Sequence, residues 1–211
     1  TDSHAAYLRW AVERGVPVYC EKPIVASARD HEPLFSLLGT AASPVTIGYS
    51  TPCIPAIGAV LKYAGARPQP PDVVHYALFS FRHEFPQVQY IREVLTHGVH
   101  LLIQLGLRTP HSARMVQADG RSDLQLAFTN GTEAHLHSSA IPGTIRRTSL
   151  SVQYGDWTLH SDPSKVPVAS ALRSWQQVGV LAAAAAGKAT KRPHPAVVCL
   201  HAFLAHLRRP P

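Results

Sequence analysis

Two short runs hold the residue types that move protons. The first is Glu21-Lys22-Pro23, which closes the apolar run Val16-Pro17-Val18-Tyr19-Cys20. A lysine just past a strand end, with a proline fixing the chain beside it, is placed to donate a hydrogen bond or tune a proton transfer. A cis bond before Pro23 is one way to fix it. The second run is His97-Gly98-Val99-His100. Histidine titrates near neutral pH, which suits it to exchange a proton with a hydroxyl. His97 and His100 are three apart and share a helix face, so a metal pair is a second reading. No Glu or Cys partner stands at a recognisable spacing and no His-Glu-x-x-His occurs, so no metal is expected. The bland alternatives are a strand end carrying two surface charges, and a helix-face histidine packed under a sheet.

Elements must hold these runs in place. His4 to Arg14 has apolar residues at Ala5, Leu8, Ala11 and Val12, the spacing of an amphipathic helix, and Gly15 is its stop. Val16 to Cys20 reads as a short buried strand. Ser27 to Leu38 reads as a helix with Leu34, Leu37 and Leu38 on one stripe, and Val45 to Tyr49 as a strand. Helix, strand, helix, strand is the grammar of a parallel α/β sheet. The pattern then changes. Pro55 to Tyr63 reads as helix, Asp72 to Arg82 as a long strand and Val88 to Leu107 as helix. Five strands follow at 113–118, 124–129, 133–140, 148–154 and 157–160, with Asn130-Gly131 and Gly155-Asp156 as turns. Two helices, 169–186 and 195–207, close the chain. The expected fold is α/β plus α+β. Residues 1–50 form the later part of a Rossmann parallel sheet. Residues 51–211 form an α+β domain with a large, mainly antiparallel open sheet backed by helices.

Thr-x-x-His at residues 1–4, then helix, Gly15, strand and Glu21-Lys22-Pro23 together resemble the second half of the nucleotide-binding domain of the Gfo/Idh/MocA oxidoreductases. That family has Asp-x-Gly-x-His opening a helix, and the run Thr96-His97-Gly98-Val99-His100 is similar to it, with Thr96 where the aspartate usually stands. The Asn-Gly hairpin within residues 123–136 and the paired strands of 149–159 fit the same pattern. The resemblance implies an NAD(P)-dependent oxidoreductase acting on a hydroxyl or carbonyl, with a sugar- or polyol-like substrate. It implies that Lys22 lies between nicotinamide and substrate, and that His100 exchanges the substrate's proton. It also implies cofactor contacts from Thr1, His4, Glu21, Lys22, Pro23 and Tyr49. Substrate contacts would come from Lys22, Tyr90, Thr96, His97 and His100, and homo-oligomers would form through the open sheet. A carboxylate at position 96 would raise the imidazole pKa and orient the ring, whereas Thr96 offers only a hydrogen bond.

None of the thirteen glycines falls in a Gly-x-Gly-x-x-Gly run. A dinucleotide's pyrophosphate needs that loop and the amides of a helix N-terminus. The reading therefore expects about 80–100 upstream residues, the size of one mononucleotide-binding half, and leaves NAD or NADP open. For the 211 residues alone it expects weak or no nicotinamide binding. The same gap keeps a second class in view: a non-catalytic homologue acting as a binding or assembly protein.

Composition trims the remaining classes. Net charge is +7, but the basic residues are scattered and no recognition helix, zinc finger or RNA-stacking motif accompanies them. Nucleic acid is therefore not an expected partner. No apolar run is long enough for a bilayer, so no membrane partner is expected. The three cysteines are odd in number and contain no C-x-x-C pair, which indicates neither a disulfide framework nor a zinc ribbon. A reducing, cytoplasmic setting is the expectation.

Overall fold

The computed structural model describes residues 3–25, 31–80, 87–118, 121–140, 147–161 and 195–207. The expected helix at 169–186 lies outside them. The chain divides into two compact units. The first joins residues 1–53 to 192–211 and the second is 54–191. The last helix thus belongs with the first unit, so the second is narrower than the 51–211 block expected.

The first unit runs α1 (His4–Glu13), β1 (Val18–Glu21), α2 (His31–Gly39), β2 (Val45–Gly48) and a 3-10 turn (Thr51–Cys53). It takes in α5 (Pro195–Leu207) at the end of the chain. Gly15 stops α1 at φ 61°, a left-handed conformation that costs glycine nothing. That reversal lets Val16 N–H bond back to the Ala11 carbonyl, and β1 then runs parallel to β2 from Val18↔Val45 to Glu21↔Gly48. The core beneath the strands is small: Leu8, Cys20 and Leu34 are buried, with Val18, Leu37 and Ile47 partly covered against them.

The second unit runs α3 (Pro55–Gly65), β3 (Val73–Ser80), α4 (Gln87–Gln104), β4 (Pro110–Ala118), β5 (Arg121–Phe128), β6 (Glu133–Ala140), β7 (Arg147–Tyr154) and β8 (Trp157–His160). Pro55 opens α3 at a position where its missing N–H has no partner to lose. The strands form one sheet in the order β4-β5-β6-β3-β7-β8. Every pairing is antiparallel except β3 with β6. The Asn130-Gly131 turn between β5 and β6 has Gly131 at φ 86°, and Thr132 N–H donates to Asn130 Oδ1 at 3.1 Å. Alternation along the strands sends Val74, Tyr76, Leu136, Leu150 and Val152 to one face, where α3 and α4 cover them. This architecture, a small parallel portion plus a larger and mainly antiparallel sheet backed by helices, is the one the sequence pattern expects.

Candidate active site

In the first unit, Glu21-Lys22-Pro23 turns the chain at the carboxyl end of β1. The Lys22–Pro23 peptide is cis. His4, at the start of α1, donates from Nδ1 to the Pro23 carbonyl at 2.9 Å. That bond joins His4 and Pro23, two positions at which the family resemblance implies cofactor contact. It also places the ring proton on Nδ1, so neutral His4 keeps Nε2 as an acceptor. Glu21 turns to its own strand and accepts a hydrogen bond from Tyr19 Oη at 3.0 Å. Its register partner is Gly48, and the reason is spatial. A Cβ on Gly48 would stand 2.5 Å from Tyr19 Oη and 2.8 Å from Glu21 Oε1. Burial first, and then the Glu21 carboxylate, push the Tyr19 phenol up, so Tyr19 stays protonated and remains the donor. Tyr49 follows β2 directly, and burial raises its phenol as well. In an open α/β sheet the carboxyl ends of parallel strands are where ligands bind, and Lys22, half-buried, stands at one. Thr1 lies outside the described residues.

In the second unit, α4 carries the run His97-Gly98-Val99-His100. Gly98 lies against the sheet, where a Cβ would meet Tyr76 Cδ1 at 2.7 Å and both Leu136 methyls at 3.1 Å. Glycine is thus what lets α4 sit close on β3 and β6. His97, Leu101 and Leu102 are buried beside it. Thr96 and His100, four apart, share a half-buried flank of the helix. Gln104, one turn on, donates from Nε2 to His100 Nε2 at 2.9 Å. The imidazole therefore carries its proton on Nδ1. Burial lowers the His100 pKa from its ordinary 6.5, which keeps the ring neutral. A neutral imidazole accepts a proton and a carboxylate is not needed to hold it, since Gln104 fixes the ring. Tyr90 is in the first turns of α4, its side chain outside the described residues.

The face of the large sheet away from α3 and α4 holds polar residues the sequence reading did not single out. Gln125, His135, His75, Ser151 and His160 are register partners in one row across β5, β6, β3, β7 and β8. The His75 and His135 rings stack with centroids 4.8 Å apart. His137 Nδ1 bonds to Asp123 Oδ1 at 2.5 Å, and Ser151 Oγ to His160 Nδ1 at 2.7 Å. The four histidines, Asp123 and Ser151 line a shallow cavity of about 550 Å³. The available signal was His135-x-His137 inside a strand, which puts both imidazoles on one face. Among the described residues no three His, Cys, Asp or Glu side chains converge on a point where a metal ion could sit.

No family model matches the chain, and no curated protein matches it. Solved structures do share its fold. A UDP-N-acetylglucosamine 3-dehydrogenase from Acidithiobacillus ferrooxidans superimposes with a TM-score of 0.68 at 19% identity, over 100% of this chain and 69% of its own. A levoglucosan dehydrogenase solved with NADH and levoglucosan gives 0.63 at 13% identity, over 75% of this chain and 50% of its own. An oxidoreductase from Pseudomonas syringae gives 0.60 at 19%, over 75% of this chain and 47% of its own. The chain thus spans about half the length of several of the structures it matches. At these identities the likeness is one of fold: the chain has the architecture of oxidoreductases and dehydrogenases. No described helix is long and apolar enough to cross a membrane.

Proposed function

We propose that this chain is the later nucleotide-binding portion and the substrate domain of an NAD(P)-dependent oxidoreductase of the Gfo/Idh/MocA type. Its substrate is a sugar- or polyol-like molecule, oxidised at a hydroxyl or reduced at a carbonyl. The observation that carries the reading is Glu21-Lys22-Pro23 at the carboxyl end of a parallel strand, bonded through Pro23 to His4. A fold shared with dehydrogenases supports it. The residues there fit a nicotinamide: the Lys22 ammonium, the free acceptor of His4 and the Tyr49 phenol are donors and acceptors beside a strand end. The nicotinamide, when bound, supplies or takes the hydride. Lys22 donates a hydrogen bond to the substrate oxygen, which stabilises negative charge as it develops there. His100 takes the hydroxyl proton on Nε2 in oxidation and returns it in reduction. Gln104 releases Nε2 for that step, and Thr96 stays on the same flank as a hydrogen-bonding group. Thr1, Glu21 and Pro23 complete the cofactor side, and Tyr90 and His97 the substrate side.

The test is turnover in the natural polypeptide that contains this chain. Lys22→Ala and His100→Ala are each expected to cut kcat by about a hundredfold or more, read as formation of the reduced nicotinamide. Near-normal rates in both variants would remove the assignment. A second reading, non-catalytic assembly through the open sheet, is favoured by the exposure of β4, where Met115 and Val116 face solvent at the sheet edge. It expects self-association, seen by sedimentation, that is indifferent to NAD and NADP.

A further inference from the structure

The third functional-group pair in the chain is one that sequence spacing hides. Cys53 ends the 3-10 turn after β2, and Cys199 lies on α5, 146 residues later. Both belong to the first unit. Their sulfurs stand 2.7 Å apart. Cys199 Sγ–H also points to the Tyr49 carbonyl at 3.8 Å. Both side chains are half-buried, within reach of a small solute, whereas Cys20 is buried at 8% exposure in the core of the unit. All three are thiols in this structure.

We infer that Cys53 and Cys199 form a covalent modification site, a dithiol that hydrogen peroxide converts to an intrachain disulfide tying α5 to the end of β2. The balance is two thiols plus one peroxide to one disulfide plus two waters. The Cys53 thiolate attacks a peroxide oxygen, the O–O bond breaks, and the hydroxide that leaves takes up the thiol proton and departs as water, with a sulfenic acid left on Cys53. Cys199 sulfur then displaces the sulfenic hydroxyl, which departs as water with the Cys199 proton. Two electrons pass from the sulfurs to the peroxide oxygens. Burial and the neighbouring Cys53 push the Cys199 thiol up to about 12, so Cys199 suits the second, resolving role and the reaction quickens with rising pH. In a reducing setting such a pair is a responsive bond rather than a permanent staple. The geometry is independent of any nicotinamide chemistry, because it needs only the turn, the helix and the oxidant.

The experiment treats the dilute full chain with hydrogen peroxide, alkylates it under denaturing conditions and maps the peptides. The expected result is a Cys53–Cys199 crosslink that dithiothreitol reverses, with alkylatable thiols falling from three to the single Cys20. A Cys20→Ser variant keeps the crosslink, which excludes scrambling through the core thiol. Proteolytic cleavage within α5 is expected to slow by about tenfold on oxidation, and not at all in Cys199→Ser. The proposal is overturned by three intact thiols, by a crosslink that uses Cys20 or a second chain, or by sulfinic acid at Cys53 without a crosslink. Unchanged cleavage of α5 in the crosslinked protein would equally remove the tether.

Discussion

The two units put comparable chemistry on unequal foundations. In the first, two four-residue strands rest on a small core that, among the described residues, clusters around Leu8, Cys20 and Leu34. In the second, six strands and two helices share a continuous core that includes Val74, Tyr76, Leu101, Leu136 and Leu150. Lys22 stands at a strand end over the thin core, and His100 on a helix pinned to the thick one. Glycine makes the same contrast. Gly48 clears space for the polar ends of Tyr19 and Glu21, whereas Gly98 clears space for a ring and an isobutyl group in the core. The lesson is that the strand end carrying Lys22 is held by hydrogen bonds and turns, and the helix carrying His100 by packing.

Paired substitutions break or sharpen that contrast, and the largest effect comes from the cores. Leu101→Ala is expected to cost about 4 kcal/mol and Leu8→Ala about 2, within the range for buried leucines and ordered by how far each site can collapse. Urea unfolding followed by probes in each unit checks this, and equal costs would erase the contrast. The glycines come next. Gly98→Ala should cost about 1–3 kcal/mol through overpacking against Tyr76 and Leu136, even though alanine is the better helix former. Gly48→Ala should cost about 1 kcal/mol or less, by displacing the Tyr19–Glu21 hydrogen bond. A reversed order, measured by thermal denaturation, would mean that the first unit is the more tightly packed.

The smallest effect is one of pH. Because burial lowers the His100 pKa below 6.5, the folded chain binds that proton less readily than the unfolded one. Its contribution to stability is present above 6.5 and is lost as pH falls from there through the depressed folded value. His100→Gln should flatten the urea midpoint between neutral and mildly acid pH, and an unchanged slope would count against the burial of the ring. The same depression should carry the acid limb of the pH–rate profile below the ordinary imidazole range.

Most elements could be read in the sequence because local signals agreed with the fold. Gly15 marks the end of α1, Asn130-Gly131 marks a hairpin, and the alternation in 133–140 and 157–160 reproduces β6 and β8 as observed. Boundaries moved where the signal was compositional. Apolar residues to Leu107 suggested a longer α4, but the chain leaves the helix at Gln104 and Gly106 takes φ 83°. Pairing was not legible. Nothing local in Val73–Ser80 says that this strand lies between β6 and β7, since that order depends on contacts more than fifty residues away. The site divides the same way. Lys22 and His100 are visible as motifs. The His4–Pro23 bond, the Gln104 brace on His100, the histidine row and the Cys53–Cys199 pair arise only when distant segments meet.

The central place of β3 has a consequence for synthesis. The strand leaves the ribosome before either of its neighbours exists. With β6 beginning at Glu133, it waits about 3–10 seconds at roughly 5–20 residues per second. Through that interval Val74, Tyr76 and Leu78 have the α3 and α4 segments to shield them but no strand beside them. The β3–β6 pairing therefore forms late and over a long range, in parallel, which is the slow route. Until β6 arrives, this strand is where a growing chain is most exposed to its neighbours on the same message.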